Sequence, residues 1–161
     1  MTRSGIGWDS HRLVAGRPLV LGGVRVPDAE RGLEGYSDAD VLTHAVIDAL
    51  LGAAGLGDIG LHFPDTEERW KDADSIALLR AVIALLRSED LSPVNVDATV
   101  VCEAPRLSPY RDEMQASLAL AVGLPAEMVN VKFTTAERMG FVGRGEGVAA
   151  LAVATVLDPR E

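Results

Sequence analysis

The amino-acid sequence predicts a single α+β domain in which helices pack on one face of a mixed β-sheet. The chain has 161 residues, which is a common size for one hydrophobic core. Its hydrophobic pattern changes between the strand and helix periods in the order β-β-α-α-β-α-β-β. Because no repeat, linker or low-complexity tract interrupts this order, we assign residues 1–161 to one domain.

Each element follows from its local pattern. Strands are predicted where apolar residues alternate or cluster between turn residues, at residues 2–11, 18–26, 94–103, 129–135 and 146–157. Helices are predicted where apolar residues recur every three or four positions, at residues 40–54, 74–89 and 109–122. Residues 62–73 are polar and aperiodic, which indicates a surface loop and a candidate lid over a site.

Composition excludes several classes of function. The chain carries 15 Lys and Arg against 24 Asp and Glu, has no basic stripe, and contains only two Trp, two Tyr and three Phe residues. Nucleic acid is therefore not an expected partner. No apolar run approaches the ~18 residues needed to span a membrane, and no signal peptide is recognisable. The single cysteine, Cys102, cannot form an internal disulfide, which favours a cytoplasmic location.

A metal site is the first candidate for chemistry. Asp9 and His11 are two positions apart in a predicted strand, so their side chains project from the same face. His44, near the start of the helix predicted at 40–54, is the best third ligand, because the remaining histidine, His62, lies in the polar loop. Asp, His and His suit Zn²⁺ and leave one position open for substrate. The spacing alone also allows one histidine that caps a strand end and one that packs on a helix.

Two glycine-rich segments raise the question of a phosphate or dinucleotide site. Gly55, Gly57 and Gly60 match the spacing of a dinucleotide-binding fingerprint, but they follow a helix and no βαβ unit surrounds them, so we reject that site. Residues 132–137 and 140–147 bring lysine, hydroxyl and arginine side chains near flexible glycines, which suits a phosphate cradle. A glycine-rich hairpin with an exposed Arg–Glu pair is the alternative.

The sequence offers no obvious protein nucleophile. It lacks the Gly-x-Ser-x-Gly and His-Glu-x-x-His motifs, and Cys102 has no histidine near it in the sequence. An enzyme with this sequence would therefore take its nucleophile from the substrate or from a metal-bound water.

Eight short motifs are spread over nearly the whole chain. They are Gly7-Trp8-Asp9-Ser10-His11, Ser37-Asp38-Ala39-Asp40 with His44, residues 48–54, Gly57-Asp58-Ile59-Gly60, Phe63-Pro64-Asp65-Thr66, Ala104-Pro105-Arg106, Thr134-Thr135-Ala136-Glu137 and residues 140–147. In this order they resemble the family of the 2-C-methyl-D-erythritol 2,4-cyclodiphosphate synthases of the non-mevalonate isoprenoid pathway.

This resemblance implies an enzyme that cyclises 4-diphosphocytidyl-2-C-methyl-D-erythritol 2-phosphate and releases CMP. The 2-phosphate of the substrate attacks its own β-phosphorus, so no protein nucleophile is needed. The resemblance also implies Zn²⁺ on Asp9, His11 and His44, and Mg²⁺ or Mn²⁺ held by Glu137 across the diphosphate. The expected assembly is a homotrimer with active sites between subunits and an isoprenoid diphosphate in an apolar cavity on the threefold axis.

The resemblance assigns substrate contacts to two groups of residues. The erythritol-phosphate side comprises Asp9, His11, Tyr36, Ser37, Asp58, Ile59, Gly60, Phe63, Pro64, Asp65, Thr66 and Glu67. The cytidine-diphosphate side comprises Ala104, Pro105, Arg106, Leu107, Lys132, Thr134, Thr135, Ala136 and Glu137. Phe141 and Arg144 match positions near the substrate and the threefold axis. The candidate catalytic residues are Thr135, whose hydroxyl would stabilise the reacting phosphorus, and Tyr36.

Three positions depart from the family pattern. Tyr36 and Ala39 stand where relatives carry histidine and glycine, and Ala136 replaces a threonine. A tyrosine hydroxyl donates a hydrogen bond but carries no positive charge near neutral pH. Tyr36 is therefore expected to contact phosphate rather than to act as an acid.

Two other functions share these features. A metal-dependent phosphohydrolase would use the same Asp/His/His site with a metal-bound water and would release CMP with an uncyclised phosphate. A trimeric module that binds isoprenoid diphosphates without turnover would not need the metal ligands. The intact set Asp9, His11, His44 and Glu137 argues against that module.

Overall fold

The computed structural model describes residues 1–27 and 29–160. Its strands are β1 (Thr2–Ala15), β2 (Val20–Leu21), β3 (Val24–Arg25), β4 (Arg31–Leu33), β5 (Ser92–Val101), β6 (Val129–Thr134) and β7 (Gly147–Leu157). Its helices are α1 (Val41–Ala54), α2 (Ile59–His62), α3 (Ser75–Ser88), α4 (Arg111–Val122) and α5 (Gly140–Gly143). Single 3₁₀ turns at Glu68–Trp70, Ser108–Tyr110 and Ala126–Met128 complete the regular structure of these residues.

Five strands form one mixed sheet in the order β4-β1-β7-β5-β6. β1 pairs antiparallel with β4 and β7, β5 pairs antiparallel with β7, and β5 and β6 run parallel. Helix α1 packs on β1, β7 and β5, while α3 packs against α1 and α4. The predicted α+β class, with helices on one face of a mixed sheet, is confirmed.

Two glycines in β1 let α1 approach the sheet closely. A Cβ atom at Gly5 or Gly7 would overlap the backbone carbonyl oxygens of Ala49 and Ala45 in α1. Gly7 immediately precedes Trp8 and Asp9, so this close packing brings the first half of α1 against the functional end of β1. The result is a helix that is buried on nearly all sides, which explains its apolar sequence.

Helix α1 begins at a fully buried carboxylate. Asp40 caps the helix by accepting from the Thr43 amide at 3.0 Å, and it also accepts from the amides of Gly22 and Gly23 at 2.8 and 2.7 Å. Burial raises the pKa of Asp40, although the bonds from Thr43 and Gly23 oppose this shift. The cap therefore ties the start of α1 to the turn between β2 and β3.

The same turn explains the clearest error in the predicted elements. Residues 18–26 were predicted as one strand, but Gly22 and Gly23 both have positive φ and split the segment into β2 and β3, a separate two-stranded sheet. β4, α2 and α5 were not predicted. The helix predicted to start at Pro109 starts at Arg111 instead, because Pro109 lies in a preceding 3₁₀ turn.

No helix within residues 1–27 and 29–160 is long and apolar enough to cross a membrane. The longest helices, α1 and α3, each contain 14 residues. Both instead contribute to the shared core between the sheet and the helical layer.

Candidate metal centre and nucleotide pocket

Asp9, His11 and His44 converge as the sequence predicts. Asp9 Oδ2 lies 2.9 Å from His11 Nε2 and 3.1 Å from His44 Nδ1. One ligand atom from each of the three residues falls within 4.8 Å of the others. Asp9 and His11 share the helix-facing side of β1, and the packing of α1 on Gly7 supplies His44. The arrangement can hold one metal ion.

The second nitrogen of each histidine is already engaged. His11 Nδ1 donates to the Glu34 carbonyl at 2.8 Å, which leaves Nε2 directed at Asp9. His44 Nε2 lies 2.8 Å from Ser75 Oγ, whose own hydroxyl donates to Asp38, so the imidazole N–H donates to Ser75. Both rings are thus oriented with His11 Nε2 and His44 Nδ1 facing the cluster, where each can offer a lone pair to a metal ion, as in metal centres with ordered outer partners.

One buried atom in the cluster shows that a metal fits. His11 Nε2 is buried and has no hydrogen-bond partner of good geometry among the described residues, despite its short distance to Asp9. Burial raises the pKa of Asp9, but the short contacts to His11 and His44 and the charges of these rings outweigh it and lower that pKa to about 2. Asp9 is therefore ionised at neutral pH. A carboxylate beside two oriented imidazoles is a donor set suited to Zn²⁺.

A cavity of about 370 Å³ opens from these ligands. Besides the metal ligands, its lining includes the predicted substrate residues Tyr36, Ser37, Ile59, Gly60, Phe63, Pro64 and Asp65. Trp70 and Leu78, which the sequence did not indicate as site residues, complete the wall. The Trp70 ring packs edge-on against Phe63, with 5.0 Å between the ring centroids. We call this cavity the metal pocket.

Three predicted residues of the polar loop and its approach make local contacts instead of lining the metal pocket. Asp58 caps α2 by accepting from the Leu61 amide at 2.9 Å. The Glu67 side chain pairs with Arg69 at 2.6 Å, while the Glu67 carbonyl accepts from the Tyr36 hydroxyl at 3.2 Å. Thr66 lies beside Glu67 in an exposed turn. Tyr36 therefore joins the metal pocket to this loop.

A second cavity, of about 390 Å³, lies at the ends of β5 and β6. Its lining contains the predicted residues Pro105, Arg106, Leu107, Thr134 and Thr135, together with Cys102, Glu103, Ser108 and Phe133. Ala104, joined to Pro105 by a cis peptide bond, lines a neighbouring groove. We call the second cavity the nucleotide pocket.

Several predicted residues around the nucleotide pocket are engaged elsewhere or stand in exposed loops. Lys132 pairs with Asp97 at 2.6 Å and does not line the cavity. Glu137 is exposed and is not part of the Asp/His/His cluster. Arg144 pairs with Glu146 at 2.8 Å, which is the exposed Arg–Glu pair of the alternative interpretation, and Phe141 lies beside Gly147.

Cys102 is not a nucleophile in this setting. The thiol is buried and contacts the Ala104 carbonyl at 3.3 Å. Burial raises the pKa of Cys102 to about 11, so the reactive thiolate is scarce near neutral pH. The expectation that Cys102 does not act as a nucleophile is consistent with this environment.

Comparison with known proteins identifies the family to which this chain belongs. Residues 2–157 match the family model described as the YgbB family. This chain belongs to that family. It is 60% identical over 154 residues to the 2-C-methyl-D-erythritol 2,4-cyclodiphosphate synthase of Salinibacter ruber, covering 96% of this chain and 98% of that one. The resemblance inferred from the motifs is confirmed.

Solved structures agree with the sequence comparison. The bifunctional IspDF from Campylobacter jejuni superposes with a TM-score of 0.93 at 40% identity, over 97% of this chain and 42% of that longer chain. A 2C-methyl-D-erythritol-2,4-cyclodiphosphate synthase in a CDP-bound form superposes with a TM-score of 0.88 at 37% identity, over 96% of this chain and 100% of that one. The YgbB-family fold is therefore shared over nearly the whole chain.

Proposed function

We propose that this chain, as one cyclodiphosphate synthase domain, converts 4-diphosphocytidyl-2-C-methyl-D-erythritol 2-phosphate to 2-C-methyl-D-erythritol 2,4-cyclodiphosphate and CMP. The observation that carries the proposal is the Asp9–His11–His44 cluster, with its orphaned His11 nitrogen, at the wall of a cavity of about 370 Å³. Membership of the YgbB family and 60% identity to a named synthase support the reaction type.

The reaction balances without a protein nucleophile. An oxygen of the 2-phosphate forms a bond to the β-phosphorus, and the bond from that phosphorus to the bridging oxygen breaks. The electron pair leaves with CMP as a phosphate. The chain must therefore hold the two ends of one substrate together, and such orientation contributes on the order of 7–11 kcal/mol to intramolecular reactions.

Two cation sites fit this chemistry. Asp9, His11 and His44 would hold Zn²⁺, and the exposed carboxylate of Glu137 would hold Mg²⁺ or Mn²⁺ against the diphosphate. Bound cations supply charge neutralisation for a highly anionic substrate, which a protein of net charge −9 needs. The remaining work belongs to side chains that orient the substrate and exclude water.

Thr135 and Tyr36 are the proposed contacts to the reacting phosphates. Thr135 Oγ1 lies 3.3 Å from the Glu137 amide and accepts from it, which leaves the hydroxyl proton to donate to a phosphate oxygen. The Tyr36 hydroxyl, which donates to the Glu67 carbonyl at 3.2 Å, would exchange that bond for one to phosphate. Each hydroxyl would stabilise negative charge on the phosphorus centre.

The remaining substrate contacts divide between the two pockets. Around the metal pocket we propose that Ser37, Asp58, Ile59, Gly60 and the loop from Phe63 to Glu67 bind the erythritol phosphate. Around the nucleotide pocket we propose that Ala104 to Leu107, Lys132 and Thr134 to Glu137 bind the cytidine diphosphate. The CDP-bound state of a structural relative supports the second assignment.

The two pockets do not meet within one chain. Among the described residues they share no lining residue, and β7 and β5 separate β1 from β6. Three strand spacings correspond to about 14 Å. A substrate that contacts both pockets is therefore better served by the metal pocket of one subunit and the nucleotide pocket of another.

An exposed apolar patch supplies a surface for such an assembly. On the sheet face away from the helices, Ile6 pairs with Val153 and Trp8 with Leu151 across β1 and β7. Ile6, Trp8 and Val153 are 68%, 52% and 44% exposed. Contiguous exposed apolar residues mark association surfaces. We propose a homotrimer built on this patch, with Phe141 and Arg144 near a threefold axis where an isoprenoid diphosphate would bind.

Phosphorus NMR of the purified protein with the cytidyl substrate and Mg²⁺ tests the function. We expect CMP and a cyclic diphosphate from the wild type and neither from His44→Ala. His62→Ala is the matched control, because His62 lies outside the cluster and contacts the Leu56 carbonyl at 2.7 Å. CMP with an uncyclised bisphosphate would instead show a phosphohydrolase. A zinc-loaded protein that releases no CMP would be the binding module.

A further inference from the structure

Glu103, at the end of β5, reaches the loop that carries Glu137. Its Oε2 accepts from the Ala136 amide at 3.1 Å and its Oε1 accepts from the Arg138 amide at 3.3 Å. The two amides flank Glu137 on either side. One carboxylate therefore holds the backbone both before and after the proposed ligand of the second cation.

The four backbone amides from Ala136 to Met139 each have a hydrogen-bond acceptor. Between the two bonds to Glu103, the Glu137 amide donates to Thr135 Oγ1 at 3.3 Å. The next amide, of Met139, donates to the Ala136 carbonyl at 2.9 Å. These four hydrogen bonds support a backbone conformation in which the Glu137 side chain is exposed.

That arrangement is one the loop sequence does not favour by itself. Glu137 and Arg138 have φ of 50° and 62°, in the left-handed region that side chains other than glycine rarely adopt. Gly143 also permits it, because a Cβ there would overlap the backbone of Arg138. Two consecutive left-handed residues need outside support, and the paired bonds from Glu103 supply it.

We propose that Glu103 is a positioning residue, whose carboxylate fixes the Ala136–Arg138 backbone so that Glu137 is held ready for the second divalent cation. The inference rests on the proposed function, since it assigns Glu137 to that cation. Successive amides around an anion form a concave nest. Here the anion is the Glu103 carboxylate, and the amides that bind it position the neighbouring carboxylate of Glu137.

Glu103→Gln is a sharp test because each oxygen of Glu103 faces a different amide. In the variant, one of the two backbone donors meets the NH₂ group of the glutamine, which is also a donor. Glu103→Ala removes both acceptors and leaves the amides to water. Glu127 is an exposed glutamate before β6, and Glu127→Gln is the control for the loss of one negative charge.

The first measurement needs no turnover. We would titrate Mn²⁺ into the protein with CDP and follow the free ion by electron paramagnetic resonance, with zinc content measured in parallel. We expect Mn²⁺ binding about 10-fold weaker in Glu103→Gln and Glu103→Ala, as for other residues that orient metal ligands. Zinc content should stay at the wild-type value, and Glu127→Gln should bind Mn²⁺ as the wild type does.

Hydrogen exchange of residues 135–140 without ligand separates the outcomes. Faster exchange in both Glu103 variants, confined to this loop, is the expected result. Wild-type hydrogen exchange and wild-type Mn²⁺ affinity in a folded Glu103→Gln protein would overturn the inference. That result would leave the proposed cyclase function of the wild type unaffected. Wild-type protein that binds Mn²⁺ with CDP but releases no CMP from the cytidyl substrate would contradict the proposed function. The Mn²⁺ affinities and exchange rates of the Glu103 variants would still test the positioning role.

Discussion

The metal pocket and the nucleotide pocket are held in place by different means. The metal ligands stand on β1 and α1, and their separation is set by the contact of two backbones at Gly5 and Gly7. Glu137 stands on a loop whose shape depends on hydrogen bonds from Glu103 and Thr135. The first arrangement is as rigid as the core, and the second can be loosened by changing one side chain. Substitutions should therefore affect the two pockets differently.

The largest effect is expected where the two backbones touch. Gly7→Ala would force a Cβ against the Ala45 carbonyl, which belongs to backbone and cannot rotate away. We expect a loss of about 3 kcal/mol in the free energy of unfolding, and a fall in zinc content as His44 moves from Asp9. Urea unfolding and metal analysis measure both quantities.

Gly52→Ala is the matched control on α1. A Cβ at Gly52 would lie 3.8 Å from the backbone carbonyl oxygen of Ile6, which is an ordinary van der Waals contact. Replacing glycine by alanine inside a helix should raise stability by about 1 kcal/mol. Equal stability and zinc content in Gly7→Ala and Gly52→Ala would show that close strand–helix packing does not set the metal pocket.

The next effect concerns the partner of His44. Ser75→Ala removes the nearer of two hydroxyl oxygens beside His44 Nε2, at 2.8 Å against 3.2 Å for Ser37 Oγ, and leaves Asp38 without the Ser75 hydroxyl. We expect zinc affinity to fall about 10- to 100-fold, measured by competition with a chelator. Ser88→Ala, which loses a bond to the Leu85 carbonyl at the other end of α3, should leave zinc affinity unchanged. Equal affinities in the two variants would remove Ser75 from the metal centre.

The pair of Asp9 and His11 makes the stability of the zinc-free protein depend on pH. The pKa of Asp9 is lowered from 3.8 to about 2. The contribution of Asp9 to the free energy of unfolding is therefore present above pH 3.8 and is lost as the pH falls towards 2. The pKa of His11 is raised, since its contact with Asp9 outweighs burial. Its contribution is present below pH 6.5 and is lost as the pH rises through the raised value.

Unfolding of the zinc-free protein across pH measures this dependence. We expect the free energy of unfolding of the wild type to exceed that of Asp9→Asn most between pH 3.8 and 6.5, by on the order of 1–2 kcal/mol. Zinc binding must displace the proton of His11, so zinc affinity should rise with pH and level off only above the raised pKa of His11. Parallel pH profiles for the two proteins would contradict the coupling of Asp9 to His11.

The smallest effect on stability is expected at Tyr36. Tyr36→Phe removes one exposed hydrogen bond to the Glu67 carbonyl, so the free energy of unfolding should fall by less than about 1 kcal/mol. Turnover should fall more clearly, because the proposed phosphate contact is lost. Tyr36→His, which introduces the histidine that the family resemblance implies at this position, is the informative partner variant. A Tyr36→Phe protein with full turnover would exclude the hydroxyl from the reaction.

The sequence predicts one half of the site better than the other for a physical reason. Asp9 and His11 are related by the two-residue period of a strand, and His44 follows by elimination, because the remaining histidine, His62, lies in the polar loop. Ser75 and Glu103 act on His44 and the loop at 136–138 from 31 and 33–35 positions away. No periodic pattern connects residues at that separation, and only the folded chain brings them together.

The errors in the predicted elements have a similar origin. Residues 18–26 are apolar enough for one strand, but the buried Asp40 binds the amides of Gly22 and Gly23 and stabilises a turn there. Helix α1 was placed within one residue of its observed start, because its cap, Asp40, and its apolar pattern are both local. At residues 18–26 a tertiary contact therefore overrode the local preference, at two glycines that adopt positive φ.

Mixing two inactive variants tests the central claim that one active site combines the metal pocket of one subunit with the nucleotide pocket of another. His44→Ala disables the metal pocket, and Glu137→Ala removes the proposed ligand of the second cation from the loop beside the nucleotide pocket. If subunits of the two proteins are unfolded together and reassembled in equal amounts, about one quarter of the sites should contain two intact halves, and a quarter of wild-type activity should return. Mixed assemblies that remain inactive, while wild-type protein treated in the same way recovers, would contradict the account.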